Sequence, residues 1–522
     1  MNAISLAFGL ARFGWGVRRF CRETVSIEAA RAAIRSRIRD RDRTFLELVH
    51  RVARPGPRSP YGQLFRAARC EPGDVDRLVA REGVEGALAA LRQAGVYVSF
   101  DEFKGLRPAV RGGETFQFDA GDFDNPLVRA HFMTTSGGTR ARPTRIVIDL
   151  DHIAESASDW ALWFSAHGWL DRPVVFLTPE FPGIVSRQLR SAKLGKPYAR
   201  WFVTGGGGTL RYRLVSTYLQ ALSRRASGAP RPERVSLLTD GRRIGEELAR
   251  LAGDGKPPCV VASPATAARL CRTVAETGGS LSGVTFLLGG EPYTDARKRA
   301  LEAAGASGVP NYGSAETGPL GAQCPGPFTT DDVHVYRDAF AVIAAPHTDA
   351  GAAEEGAILV TGLRRAGPKV LLNVEIGDTA RVARRACGCA FDDMECTTHL
   401  WSIRSSDKLT GDGVTFLVAD LLPLLEGELP RRFGGAAGHY QIVETQDPHG
   451  LPRYQLLVSP EVGAIDERAV VNALLDGLSA RRPAYGFMAE QWRQGELLTV
   501  RRERPQPTAR GKVPAYRRLP WR

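Results

Sequence analysis

The stretch Asn311-Tyr-Gly-Ser-Ala-Glu-Thr-Gly318 decides how this chain is read. It holds one aromatic ring, one carboxylate and two glycines, and it follows the apolar run Val284-Thr-Phe-Leu-Leu288, which closes on Gly289-Gly-Glu-Pro292. That order predicts a buried strand, a tight turn, a short helix from Thr294 to about Ala304, and a second turn carrying Tyr312 and Glu316. A flat ring and a hard oxygen ligand then share one loop. Such a loop suits a nucleotide with its metal, because the ring stacks on a base, glycine lets the backbone approach, and the carboxylate holds magnesium near phosphates. An ordinary loop with a solvated Glu would carry the same residues.

A chain of 522 residues exceeds what one core usually supports, so at least two domains are expected. Its hydrophobic fraction of 43% and charged fraction of 24% are those of a globular protein. The net charge of +13 invites a nucleic-acid reading, but only eight of the 70 basic residues are lysines and no aromatic-rich basic motif occurs. No nucleic-acid partner is expected; anionic small ligands such as ATP or coenzyme A are the more economical partners. Eight cysteines, scattered except for Cys387 and Cys389, make no disulfide framework and point to a reducing cytoplasm. Met1 to Phe20 is apolar with Arg12, Arg18 and Arg19 interspersed, but lacks a basic leader and a cleavage site. It is expected to be a helix packed on the body, neither signal peptide nor transmembrane segment, with shallow membrane contact through Phe8, Phe13 and Trp15 as the alternative.

Outward from the central stretch, Val25 to Arg111 reads as helices, with periodic apolar positions in Ala29 to Leu48 and Val75 to Leu91. At His131-Phe-Met-Thr-Thr-Ser-Gly-Gly-Thr-Arg140 the composition turns to hydroxyls and glycine before the strand Arg145-Ile-Val-Ile148. Hydroxyls and free backbone N–H groups can wrap phosphate oxygens, although no Walker lysine closes this loop and plain turns share its residues. Between Asp151 and Thr285, helical runs alternate with apolar strands such as Val174–Leu177, Val235–Leu238 and Val260–Ala262, which argues for a largely parallel sheet. Gly205 to Gly208 reads as a loop whose glycines could approach a ligand, or equally as a flexible hinge. Ala357–Val360 and Lys369–Leu372 read as strands before Gly377-Asp378, and from Gly413 onward a small α+β domain follows.

Cys324, His334 and Cys387-Gly-Cys389 supply four soft ligands, the number a closed tetrahedral zinc site needs. Free thiols are the other reading, and Cys396 and His399 compete for the last positions.

Taken together and in order, from about Phe132 to Lys512, these segments resemble the adenylate-forming enzymes (acyl-CoA synthetases, peptide-synthetase adenylation domains, luciferases), most closely the phenylacetate-CoA ligase-like branch. The resemblance implies an α/β fold with a large N-terminal domain of mixed and parallel sheets plus helices and a small C-terminal α+β domain. The divisions would be a helical lead-in at 1–111, an ATP- and acid-binding part at 112–404, and a mobile C-terminal domain at 405–522. It implies that Thr135, Ser136, Gly137, Gly138 and Thr139 cover the phosphates and that Gly290, Glu291, Pro292 and Tyr312, with Gly313, bracket adenine. Asp378 would hold ribose, Glu316 magnesium, and Arg404 would precede a hinge at Asp407. Lys512 would swing in to stabilise charge, and Cys324, His334, Cys387 and Cys389 would hold structural zinc. The implied activity is ATP-dependent activation of a small-molecule carboxylic acid and transfer to coenzyme A. The alternatives are an amine, carrier-protein or protein-thiol acceptor, or an inactive nucleotide-binding homologue; a homodimer is allowed. The chain departs from the family pattern at Arg140-Ala141, Thr144, Asn373-Val374 and Ser406. Substrate-pocket residues are expected between Trp160 and Thr209 and around Gly289, with Trp163, Phe164, Trp169 and Phe181 either lining it or filling a core.

Overall fold

The structure is a computed structural model that describes residues 3–54, 59–128, 131–135, 145–180, 183–206, 210–346, 356–405, 408–411, 414–436, 438–447, 451–481, 485–507 and 515–518. Its frame is a sheet of twelve strands among these residues. They are β1 (Val174–Glu180), β2 (Arg200–Gly206), β3 (Glu233–Arg234), β4 (Cys259–Ala262), β5 (Thr285–Leu288), β6 (Ser307–Ser314), β7 (Gly318–Ala322), β8 (Val333–Val335), β9 (Phe340–Pro346), β10 (Gly356–Gly362), β11 (Val374–Arg384) and β12 (Thr398–Ser405). Their spatial order is β9-β10-β11-β12-β8-β7-β6-β5-β4-β1-β2-β3. From β6 through β3 every pairing is parallel, and from β6 through β9 every pairing is antiparallel. The parallel half is Val/Leu/Phe-rich and buried on both faces, as helix-covered parallel strands must be.

The N-terminal helices Ile27–Arg39, Arg41–Val52 and Pro72–Gln93 share one core with the sheet, in which Ile34, Phe45 and Leu88 join Val309, Leu320 and Val360. After the last of these helices the backbone joins β11: Val98 N–H donates to Asn373 O at 3.0 Å and Glu375 N–H donates to Val98 O at 2.9 Å. Asn373, one of the departures from the family pattern, is fully buried in a left-handed conformation (φ 49°). Its Nδ2 donates to Leu88 O (2.8 Å) and Val96 O (3.2 Å), so it clamps the helical region to the sheet.

The helix Ala3–Arg22 lies on the body as expected, burying Phe13, Val17 and Phe20. Phe13 therefore cannot meet a membrane, while Phe8 and Trp15 are exposed. No described helix is long and apolar enough to cross one. The C-terminal region has its own four-stranded sheet, ordered Leu498–Arg502, Pro452–Val458, Tyr440–Gln446 and Tyr516–Arg518. The helices Glu467–Arg481 and Tyr485–Gln494 cover it, and Tyr454 stacks on Trp492 at 4.3 Å in a separate core.

Two expected strands are corrected. Val235–Leu238 contributes no strand: the ladder stops at Arg234, and Leu237–Gly253 is a helix whose Ile244 and Leu248 turn inward. Lys369–Leu372 is pinned singly, with Val370 N–H on Phe123 O (2.8 Å) and Leu372 N–H on Tyr61 Oη (3.0 Å). Its only pairing is an isolated antiparallel bridge of Lys369 with Asp124, not a ladder, among the described residues.

Replacing Asn373 by Ala removes the buried amide donor that ties Leu88 O and Val96 O to the sheet and puts at φ 49° a residue that tolerates the left-handed region less well, so Asn373→Ala should cost about 2–4 kcal/mol in urea unfolding. A loss under about 0.5 kcal/mol would show that the clamp is dispensable.

Candidate active site

The site is built where β6 changes partners. Ser307–Pro310 pair parallel with β5, and Asn311–Ser314 pair antiparallel with β7 across a bulge at Tyr312/Gly313. Asn311 Nδ2 donates to Leu288 O at 2.8 Å, tying β6 to the end of β5. A β-carbon on Gly313 would sit 2.2 Å from Gly318 O, so only glycine fits the bulge. In the turn that follows, Ser314 and Thr317 exchange two bonds, Ser314 N–H to Thr317 Oγ1 (3.0 Å) and Thr317 N–H to Ser314 Oγ (3.2 Å). That lock fixes the direction in which Glu316 leaves the sheet. The helix after β5 runs Asp295–Glu302 with Thr294 as its cap, as the sequence predicts, while Tyr312 belongs to strand β6 and only Glu316 to the turn.

The structure brings Tyr312 and Asp378 into contact across 66 positions: Tyr312 Oη donates to Asp378 Oδ2 at 2.8 Å. Burial and the Asp378 charge hold the phenol well above its usual pKa, so it remains a donor. Asp378 follows Gly377, whose positive φ (82°) and packing on Phe100 admit no side chain. Glu316 meets Lys104 Nζ at 2.8 Å, a nearly buried pair with side chains 12% and 4% exposed. Lys104 comes from the helical region in which the sequence showed no reactive group; its scarcity among eight lysines was the one available signal.

Arg404 lies on β12 opposite Thr379 and donates to Asp331 at 2.9 Å. Gly290 has a positive φ (85°) with open space at its Cβ position. The Glu291 carboxylate is turned inward onto Arg297 (3.0 Å) and Ala265 N–H (3.2 Å), and Arg297 also bonds Pro292 O. Only the backbone of this turn is left to face a ligand. Thr135 ends the strand Phe132–Thr135; Ser136, Gly137, Gly138, Thr139, Asp407 and Lys512 lie outside the described residues.

Beside Glu316 a small, partly open cavity of about 20 Å³ touches His152, Ser156, Thr317, Arg364 and Lys369. Its lining mixes these groups with Pro319, Phe340 and Leu371, and includes none of the aromatics between Trp160 and Thr209. Trp163, Phe164 and Trp169 are buried in the core, and Trp163 Nε1 donates to Gln323 O; Phe181 lies outside the described residues. Burial, with Arg190 and Arg364 nearby, pushes His152 down to about 3, so it is neutral at pH 7.

A second cluster sits at the other end of β7. Antiparallel β7 and β8 place Ala322 opposite His334, and the turn after β11 delivers Cys387 and Cys389. The ligand atoms of Cys324, His334, Cys387 and Cys389 all lie within 4.8 Å of one another. His334 Nε2 is 3.4 Å from Cys387 Sγ and 3.5 Å from Cys389 Sγ, and Nδ1 is 2.6 Å from Cys396 O. A carbonyl accepting from Nδ1–H leaves Nε2 as the lone-pair nitrogen facing the thiols, the arrangement of a metal-ligating imidazole. Hydrogen bonds from Cys324 and His334 pull Cys389 down to about 3. Of the competitors, Cys396 lies in the buried core, while His399, whose Nδ1 meets Asp332 (2.8 Å), also belongs to a second converging set with His334, Cys387 and Asp392.

No family model matches the chain, and none of the curated proteins matches it. Solved structures do. The chain is similar to 2-hydroxyisobutyryl-CoA ligase in complex with 2-HIB-AMP and CoA in the thioesterification state, with a TM-score of 0.53, 16% identity and coverage of 92% of this chain and 90% of that one. The same ligase in its postadenylation state matches with a TM-score of 0.47 and 18% identity over 92% and 89%. An acyl-CoA synthetase from Brucella canis matches more loosely, at 0.35 and 14% over 78% and 66%. With its parallel half, its antiparallel half and its separate C-terminal sheet, the chain has the fold of the adenylate-forming enzymes.

Proposed function

We propose that this chain activates a carboxylic acid with ATP, releasing pyrophosphate and forming an acyl-adenylate, and then transfers the acyl group to the thiol of coenzyme A, as an acid–thiol ligase of the phenylacetate-CoA ligase-like kind. The observation that carries this reading is the Tyr312–Asp378 contact at the strand where the sheet changes from parallel to antiparallel, with Glu316 on the next turn. Such switch points are where α/β sheets open a crevice for ligands at the carboxyl ends of strands.

In this reading the Tyr312 ring packs on adenine, Asp378 accepts from ribose hydroxyls, and the backbone of Gly290 to Pro292 closes the other side of the base. Glu316 would hold the magnesium, which supplies charge neutralisation on the phosphates. The site fits the ion, because a buried carboxylate already needs a cation there and takes it from Lys104. The acid's carboxylate oxygen attacks the α-phosphorus of ATP, the bond to the bridging oxygen breaks, and pyrophosphate leaves. Lys512 then serves as the fixed cation for the charge that develops. The C-terminal domain, from 405 onward, pivots at Asp407 to admit the thiol. Cys324, His334, Cys387 and Cys389 take a structural zinc that holds the β7–β8 hairpin to the turn after β11.

Exchange of labelled pyrophosphate into ATP tests the first half-reaction. Lys512→Ala should lower the exchange rate about 10²–10³-fold with the fold unchanged; exchange at the wild-type rate would remove Lys512 from the mechanism. Lys104→Met strands the Glu316 carboxylate and should destabilise the protein by about 3 kcal/mol. Magnesium with ATP should then raise the melting temperature of Lys104→Met more than that of the wild type, and equal shifts would argue against Glu316 as the ion's ligand. For the second centre, elemental analysis should find one zinc per chain, lost together with thermal stability in Cys389→Ser; a metal-free protein of unchanged stability in that assay refutes the zinc assignment.

A further inference from the structure

The helix Ala3–Arg22 turns two chemically different faces outward and inward. Phe13, Val17 and Phe20 are buried against the body. Phe8, Arg12, Trp15, Arg19 and Arg22 recur every three or four residues, so they share the opposite side, and all are exposed. Trp15 is 90% exposed and Phe8 73%. The helix Leu210–Ser227 lies alongside: Tyr218 Oη donates to Leu10 O at 3.1 Å, and Leu222 packs against Gly14. It adds Leu214, 62% exposed, the partly exposed Tyr218 ring and the exposed Arg213. Four of the nine large apolar side chains exposed among the described residues therefore lie on this one pair of helices.

The charges on these helices have one sign. Neither contains an acidic residue. Glu23, just beyond the first, bonds Arg19 at 2.7 Å, while Arg18, Arg22 and Arg213 form no ion pair among the described residues. Other surface helices match their arginines with carboxylates one turn away, Arg43 with Asp40 and Glu47, Arg242 with Glu246, and Arg250 with Glu247 and Asp254. Single exposed apolar residues need no explanation, but aligned aromatics flanked by unmatched arginines do. A second copy of this chain would bring the same arginines face to face, and like charges repel. A nucleic acid would satisfy the arginines yet leave Phe8 and Leu214 largely in water. An anionic bilayer takes both: indole and phenyl rings settle at headgroup level, and the long arginine side chains reach the lipid phosphates beside them.

We propose that this face docks the protein on the surface of an anionic phospholipid bilayer. Phe8, Trp15, Leu214 and the edge of Tyr218 enter the interfacial layer, and Arg12, Arg18, Arg19, Arg22 and Arg213 lie against lipid phosphates. The helix rests along the surface, because its arginines stand on the same side as its exposed rings. The inference is independent of the acid-activating reading.

The test is cosedimentation of the full chain with vesicles of phosphatidylcholine alone and of phosphatidylcholine containing phosphatidylglycerol. Partitioning should be at least about tenfold stronger on the anionic vesicles and should weaken with salt. The double variant Arg18→Gln, Arg22→Gln should lose about 30-fold on them. Phe8→Ala with Trp15→Ala should lose about tenfold or more. Both variants should melt at the wild-type temperature, since the replaced side chains touch solvent. Arg242→Gln with Arg250→Gln removes the same charge from another face and should bind like the wild type. Bromine-labelled acyl chains should quench more fluorescence in the wild type than in Trp15→Phe. Failure to bind anionic vesicles, wild-type binding by both helix variants, or an equal loss in the Arg242, Arg250 control overturns the proposal. So does tighter binding to a random duplex that the same arginine variant abolishes, which would assign the face to nucleic acid, or a dimer that Trp15→Ala dissociates, which would assign it to a second copy.

Discussion

The structure depends on one strand shared by a parallel and an antiparallel ladder. β6 must present its hydrogen-bonding groups in parallel register to β5 and, four residues later, in antiparallel register to β7. The two ladders use opposite edges of β6, and the antiparallel one has a single local break. The break falls at Tyr312/Gly313, where glycine allows Gly318 O to come within 2.2 Å of where a β-carbon would be. The same break turns Tyr312 toward Asp378 on β11 and starts the turn that carries Glu316. Fold and site therefore share one cause.

Around that strand, the charges of the interior form a network spanning distant parts of the chain. Arg37, from an N-terminal helix, meets Asp338 before β9, and Arg364 after β10 joins Asp338 to Asp159 on the helix Leu150–Ala166. With Asp159, Asp338 and Arg364 buried and Arg37 partly so, each of these ions is tolerable only while its neighbours stay in place, so the network fixes relative position more than it adds stability. Lys104 and Asn373 extend the same dependence to the active site. The helical region thus helps set the electrostatics of Glu316 rather than merely preceding it.

The cysteine and histidine cluster reaches order by a different route. Cross-strand pairing of β7 with β8 and β8 with β12 places His334, and the carbonyl of Cys396 sets its tautomer. Asp392 gathers the N–H groups of Cys387 (2.5 Å) and Gly388 (2.6 Å), which curls the Cys-Gly-Cys turn toward the imidazole. Four soft donors converge although 65 positions separate the first from the last in sequence, Cys324 from Cys389.

Much of this was legible from residue order. The apolar run ending at Leu288, the helix start at Thr294, the periodic N-terminal helices and the glycine-marked turn at Glu316 are local features, and local propensity and periodicity specify them. Val235–Leu238 misled because an amphipathic helix start and a short strand look alike over four residues. Trp163, Phe164 and Trp169 were ambiguous between pocket and core, and packing placed them in the core. The sequence by itself determined the alternation of strands and helices and the residue types gathered at Asn311–Gly318. Only the tertiary structure decided which charges meet: Lys104 finds Glu316 across 212 positions, and Arg364 finds Asp159 across 205. Chain order carries no information about Coulomb partners at that range, because they are chosen by packing and by the free energy of leaving water.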